Sequence, residues 1–136
     1  MLPRDVKTAE DARRIVRERN LTHVKIGVHD VDGVLRGKYL HVDKFFGALD
    51  GGLGFCDVVL GWDSNDQLYD NVTYTGWHTA YPDAPVRVVP DTCRELPTEP
   101  GGLFFLCEFS DKAEELCPRG TLRRVLARAE KMGFEL

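Results

Sequence analysis

Between residues 22 and 41 apolar and polar positions alternate with a period of two. Val24, Ile26 and Val28 stand between His23, Lys25 and His29. That period sets one face against a core and the other in water, so residues 22–29 are predicted as a strand. Asp30-Val31-Asp32-Gly33 reverses the chain, with Gly33 free to take the positive φ a tight turn needs. Residues 34–41 return as the second arm of a hairpin. Ahead of it, Thr8 and Asp11 have capping-box spacing, and Ala9, Ala12, Ile15 and Val16 form an apolar stripe, which predicts a helix over 9–19. After it, residues 42–49 read as a short helix ended by Asp50-Gly51-Gly52, with Phe45, Phe46 and Leu49 toward the sheet.

The second half follows the same logic. Residues 55–60, 86–96 and 103–109 are apolar enough for strands, and the continuous run Leu103-Phe-Phe-Leu-Cys marks 103–109 as the central one. Residues 110–116 form a polar connection. Pro118 opens a last helix, Leu122, Val125, Leu126, Ala129 and Met132 recur at helical spacing, and Gly133 caps it. Residues 134–136 read as the opening of another strand, so the chain reads as the first part of a longer protein. The order predicts an α+β fold, a sheet of mixed direction with helices packed on one face. The expected division is a helical segment 1–21, the sheet domain 22–116, and a helix at 117–136 that begins a following domain.

Between 61 and 85 lies a long loop carrying Trp62, Asp63, Asp66, Tyr69, Asp70, Tyr74, Trp77, His78, Tyr81 and Asp83. Disordered segments are poor in aromatics, so this loop is expected to be an ordered surface that meets a partner or substrate. The bland alternative is that Trp62 and Trp77 fold back over the sheet edge.

Composition narrows the function. With 136 residues, 43% hydrophobic content and net charge −4, one core is expected and nucleic acid is not a partner. No apolar run approaches a membrane span and no signal peptide opens the chain, which predicts a cytoplasmic protein. Cys56, Cys93, Cys107 and Cys117 lack metal-knuckle spacing and are expected reduced and mostly buried, and His23, His29 and His41 have no ligand spacing either.

Three chemistries compete for the hairpin. Asp30-Val-Asp-Gly-Val resembles the nucleophile motif of haloacid-dehalogenase-type phosphatases, but that fold needs a helical crossover where this chain returns at once as a strand. A calcium loop of the EF-hand kind needs Glu at its twelfth position, which is His41. The third reading takes in more of the chain. Asp30-Val-Asp-Gly-Val-Leu-Arg-Gly-Lys38 resembles the D-x-x-G-x-x-R-G-K hairpin of glutamine synthetase family proteins, notably the branch with gamma-glutamylpolyamine synthetases. Tyr81-Pro-Asp83, Val89-Pro-Asp-Thr92, Arg94 and Leu96-Pro97 are similar to its P-D…T…R…P segment, and Cys117-Pro-Arg119 with Leu122 to its P-R-x-x-L helix start.

The resemblance implies the amino-terminal β-grasp domain of an ATP-dependent ligase, which phosphorylates the glutamate side-chain carboxylate for attack by ammonia or an amine. ATP and Mg2+ or Mn2+ would be held by residues beyond this chain, leaving the chain alone inactive. The parent is expected to be a ring-shaped homo-oligomer whose active site takes a loop from the neighbouring subunit. In place of the family's F-D-G-S-S stands Phe55-Cys-Asp-Val-Val-Leu-Gly-Trp-Asp-Ser64. Asp63 and Asp57 are therefore the candidates for the amine-binding, proton-accepting carboxylate, with Trp62 and Ser64 beside the substrate. The altered motif leaves room for an amine bulkier than ammonia. Arg36 and Lys38 share a strand face and suit a salt bridge between subunits or domains, with Asp30 or Asp32 as partners. The non-enzymatic alternative is a free-standing β-grasp module that binds protein through the aromatic loop and sheet edge.

Overall fold

The computed structural model describes residues 1–135. In order come α1 (Ala9–Glu18), β1 (His23–His29), β2 (Leu35–His41), α2 (Val42–Gly51), β3 (Leu53–Cys56), β4 (Asp83–Val88), β5 (Arg94–Glu95), β6 (Leu103–Phe109) and α3 (Pro118–Lys131). The strands form one sheet in the order β2-β1-β6-β4-β3, with β5 also paired to β6. β1 and β6 run parallel and every other pair is antiparallel. The result is the mixed sheet that the sequence pattern predicts, β-grasp-like as the family resemblance implies, with β6 at its centre.

Helix α1 starts where its cap dictates. The Asp11 backbone N–H donates to Thr8 Oγ1 at 3.1 Å, and the Thr8 N–H donates to Asp11 Oδ2 at 3.0 Å, so two orphan donors are satisfied reciprocally. Its buried face, Ala12, Ile15 and Val16, joins α2, whose Phe45 ring lies 4.8 Å from that of Phe105 on β6. Val24, Ile26 and Val28 of β1 and Leu103, Phe105, Cys107 and Phe109 of β6 fill the same core, all nearly or wholly out of solvent. Burial pushes the Cys93 thiol up to about 11 and Cys107 to about 12, so both behave as small apolar side chains. Among the described residues no helix is long and apolar enough to cross a membrane.

Three expectations need correction. Residues 55–60 are not one strand: β3 ends at Cys56, the next register pair keeps only the Asp57 N–H bond to the Pro82 carbonyl because proline has no N–H to return, and Asp57–Leu60 closes as a 3-10 turn. The next strand begins at Asp83 rather than Val86. It also stops at Val88, since Pro90 brings no N–H and opens the 3-10 turn Pro90–Thr92. There the Thr92 hydroxyl replaces the lost ladder, accepting the Leu106 N–H at 2.8 Å. The last helix forms as predicted, its apolar stripe facing solvent and Gly120 its one buried residue. Finally, the expected strand at 134–136 does not begin at Phe134, whose N–H folds back onto the Ala129 carbonyl, and Leu136 lies outside the described residues.

Candidate functional site

The hairpin turn between β1 and β2 is built around Asp30, a carboxylate with no solvent exposure. Its Oδ1 accepts the N–H groups of Asp32 (3.0 Å) and Val34 (2.8 Å), and Oδ2 accepts Arg36 Nε at 2.8 Å. A buried carboxylate is tolerated only when hydrogen-bonded and charge-paired, and Asp30 is both. Arg36 therefore makes its bridge to Asp30 within the chain. Lys38, two residues on along the same face, pairs with no carboxylate among the described residues. Its Nζ donates to the Gly54 carbonyl at 3.2 Å and sits 4.8 Å from the Phe55 ring, so this β2 side chain reaches across to β3 on the far edge of the sheet.

The rest of the Arg36 guanidinium is turned toward the loop. Nη1 meets Asp66 at 2.6 Å, Nη2 donates to the Asp63 carbonyl at 3.4 Å, and the group lies 4.8 Å from the Trp62 ring. Asp32 Oδ2 adds a bond from the Ser64 N–H at 2.8 Å. Trp62, Asp63 and Ser64 are thus gathered against the hairpin turn. Within the loop, Asp63 Oδ1 accepts from Asn65 N (2.8 Å) and Gln67 N (3.0 Å), and the Tyr69 N–H closes onto the Gly61 carbonyl at 2.9 Å. Asp66 takes a left-handed φ of 62° inside this closed segment.

Asp57 belongs to a different set of contacts. It is buried in its 3-10 turn, and the equally buried Thr75 donates its hydroxyl to Oδ1 at 2.5 Å. Burial pushes the carboxyl above its usual value, the Thr75 bond pulls it partly back, and the charge of Asp83 raises it again. The residue borders an open cleft of about 330 Å³ with Tyr74, Asp83, Asp111 and Lys112. Beyond it the two loop tryptophans separate: Trp62 packs against the core, whereas Trp77 is 79% exposed and touches Tyr81 edge-on at 5.5 Å.

Sequence reasoning does not find Thr75, because a single threonine in a polar loop carries no signal of burial. Nor does it separate Asp66 from the other loop acids. Among the described residues, no three His, Cys, Asp or Glu side chains converge as a metal ion requires. The donor set here does not fit a resident cation.

No protein-family model matches the sequence. Individual proteins do. The chain is 45% identical over 115 residues to type-1 glutamine synthetase 2 of Dictyostelium discoideum, covering 82% of this chain and 22% of that protein. It is 32% identical over 130 residues to a glutamate–isopropylamine ligase of a Pseudomonas species, covering 90% and 28%. It is 27% identical over 129 residues to a gamma-glutamylethanolamide synthetase of Streptomyces coelicolor, covering 92% and 28%. The fold is shared with the GmaS/ADP complex (TM-score 0.65, 20% identity, 89% of this chain and 26% of that one). It is shared also with Plasmodium falciparum glutamine synthetase (TM-score 0.61, 16% identity, 92% and 23%). The chain spans about a quarter of the length of these relatives. By sequence and by fold it belongs to the glutamine synthetase family, resembling the amino-terminal β-grasp region of the family's gamma-glutamyl ligase members.

Proposed function

We propose that the chain is the amino-terminal domain of an ATP-dependent ligase that joins the glutamate side chain to ammonia or a small amine through a gamma-glutamyl phosphate. The observation that carries this reading is the 45% identity to a type-1 glutamine synthetase, combined with an ordered acidic-aromatic loop clamped at the end of the sheet. Two of the relatives are named for amines larger than ammonia, one for isopropylamine as the substrate joined to glutamate and one for a gamma-glutamylethanolamide product, which supports an acceptor bulkier than ammonia. ATP and Mg2+ or Mn2+ belong, on this reading, to a catalytic domain outside the chain. The chain alone is then inactive, and its site in a cytoplasmic, ring-shaped homo-oligomer is completed by the neighbouring subunit.

Of the two aspartates, Asp63 suits direct contact with the amine. It is half-buried in the loop, with Oδ1 committed to loop amides and Oδ2 making no such bond, so the carboxylate is aimed and keeps one oxygen available. A carboxylate in that state attracts an ammonium ion and accepts its proton. Asp57 is enclosed with Thr75 and acts as a positioning residue for the 57–75 segment. Trp62 and Ser64 flank Asp63 on the substrate side.

The same reading divides the chain at about 117, with α3 starting the region that docks on the catalytic domain. An α-helix of 14 residues whose one buried position is a glycine gains little from packing in this chain, and its apolar stripe suits a covering surface. The division of residues 1–21 from 22–116 is weaker in physical terms, since α1 packs into the same core as α2.

The test is ATP-dependent phosphate release by the longer protein with glutamate and a panel of amines. Asp63→Ala is expected to lower amine-dependent turnover by about 100-fold, the upper range for losing a positioned proton acceptor being larger. Turnover within about twofold of wild type would sink the assignment of Asp63. A binding-only reading rests on Trp77, a large exposed aromatic of the kind that anchors protein interfaces. It would be favoured by a longer protein that releases no phosphate with any amine.

A further inference from the structure

We propose that Arg36 is a positioning residue for the amine site: it fixes the Trp62–Asp66 segment and so sets where the Asp63 carboxylate stands. The proposal rests on the ligase reading and adds to it a residue that touches no substrate.

Each edge of the guanidinium has a separate task. Nε is bound to buried Asp30, which is itself held by two turn amides, so the anchor is rigid. Nη1 takes the Asp66 carboxylate, Nη2 the Asp63 carbonyl, and the planar face takes the Trp62 ring. Lysine cannot reproduce this, since it offers a point charge in place of a planar fork. Among the described residues the Trp62 indole N–H is buried with no hydrogen-bond partner, so no directed bond fixes the ring, and its orientation rests on core packing together with the guanidinium face. Asp63 is tied at its backbone to Arg36 and at its side chain to the amides of Asn65 and Gln67. Moving Arg36 therefore moves the carboxylate through the backbone that carries it. A displacement of about 1 Å at a reacting group is enough to cost about 100-fold in rate.

The experiment has two arms. In the 136-residue chain, Arg36→Lys and Asp66→Asn are compared with wild type by 1H–15N spectra, which resolve the two indole N–H signals, and by hydrogen exchange at Ser64. Asp66→Asn alters an exposed side chain and keeps the buried Asp30–Arg36 pair, so it folds even where Arg36→Lys does not. The Trp62 indole signal is expected to shift toward its unfolded position in Arg36→Lys while Trp77 stays in place. Ser64 exchange should rise about tenfold or more in both variants, as expected for local opening of a clamped loop. Unchanged Trp62 and Ser64 signals in a folded Arg36→Lys chain would overturn the proposal. In the longer protein, Arg36→Lys is expected to raise KM for the amine about tenfold with KM for glutamate and ATP held. A loosened loop with an unchanged amine KM would overturn the amine-site role while leaving the ligase reading intact. Failure of wild type to use any amine would overturn the ligase reading itself.

Discussion

Arg36 Nε lies 2.8 Å from Oδ2 of Asp30, a contact within the β-hairpin that anchors the guanidinium whose other edge reaches Asp66 in the loop beyond β3. Asp30 is fully buried and accepts three hydrogen bonds, so its loss strands two turn amides and an arginine that is one-fifth exposed. Asp30→Ala is expected to destabilise the chain by about 3 kcal/mol, the lower end for breaking a buried pair, because Arg36 retains some access to water. Urea unfolding followed by far-UV circular dichroism measures this. A change below about 1 kcal/mol would mean that the pair contributes no more than a surface bridge.

The two buried carboxylates outside this clamp titrate in opposite senses. For Glu108, burial alone would push the carboxyl up, but hydrogen bonds from Arg87, Arg123 and Arg119 outweigh it and hold the group below its ordinary 4.5. Its contribution to stability is present above that ordinary value and is lost as pH falls through the lowered one. Asp57 is raised above its ordinary 3.8, so its charged form opposes folding, and the stability it permits below 3.8 declines as pH rises through the raised value. Stability measured from about pH 3 to 7 is expected to show Glu108→Gln losing most relative to wild type at the neutral end. Asp57→Asn should gain on wild type toward the same end. Difference curves flat with pH would contradict both assignments.

Most of the sheet was legible because its hairpin and central strand obey a period of two or a continuous apolar run. Val24, Ile26 and Val28 show it in β1, and Leu103–Phe109 matches its predicted bounds. What was not legible depended on partners distant in sequence. Asp57–Leu60 reads as strand by composition but folds as a 3-10 turn, its ladder partner in the next register pair being Pro82, which has no N–H to pair with. The Asp30–Arg36 pair was within reach of a strand-face argument, but the Arg36 contacts to Asp66 and Trp62 need the loop to fold back, and no local pattern encodes that. The helical spacing of the α3 stripe predicts the helix, but that spacing reports amphipathicity and is silent on what covers the stripe.

Two glycines with positive φ separate backbone strain from crowding. Gly52, which ends α2, combines φ 70° and ψ −170° with a site where an added Cβ would stand 2.6 Å from the Val86 carbonyl oxygen. That backbone region is essentially reserved for glycine, and the obstacle is main chain that cannot swing away. Gly33, in the hairpin turn, has φ 80° but nothing within 4 Å of such a Cβ. Gly33→Ala is expected to cost about 1 kcal/mol from strain alone. Gly52→Ala should cost about 3 kcal/mol or more, strain and clash adding. Thermal unfolding of the two variants side by side tests the ranking, and equal losses would show that α2 shifts to relieve the contact.

Leu122, Val125 and Met132 on α3 are 55%, 58% and 66% exposed, an apolar stripe flanked by Arg124, Arg128 and Lys131 with Glu130 as the helix's one acid. In the chain alone these side chains bury little, so Leu122→Ser and Val125→Ser should each change stability by no more than about 0.5 kcal/mol, the ordinary range for surface substitutions. In the longer protein the same changes should act as core changes, since a covered leucine or valine is worth about 1.5–3 kcal/mol. Self-pairing of the stripe would bring its basic flanks against each other, whereas a covering surface with acidic flanks would satisfy them. The 136-residue chain is therefore expected to stay monomeric in equilibrium sedimentation at low salt, and the paired substitutions to lower the unfolding temperature of the longer protein but not of the chain. A loss of stability as large in the chain as in the longer protein would show that the stripe is packed within this domain, and α3 would then have no free apolar face to dock on a catalytic domain.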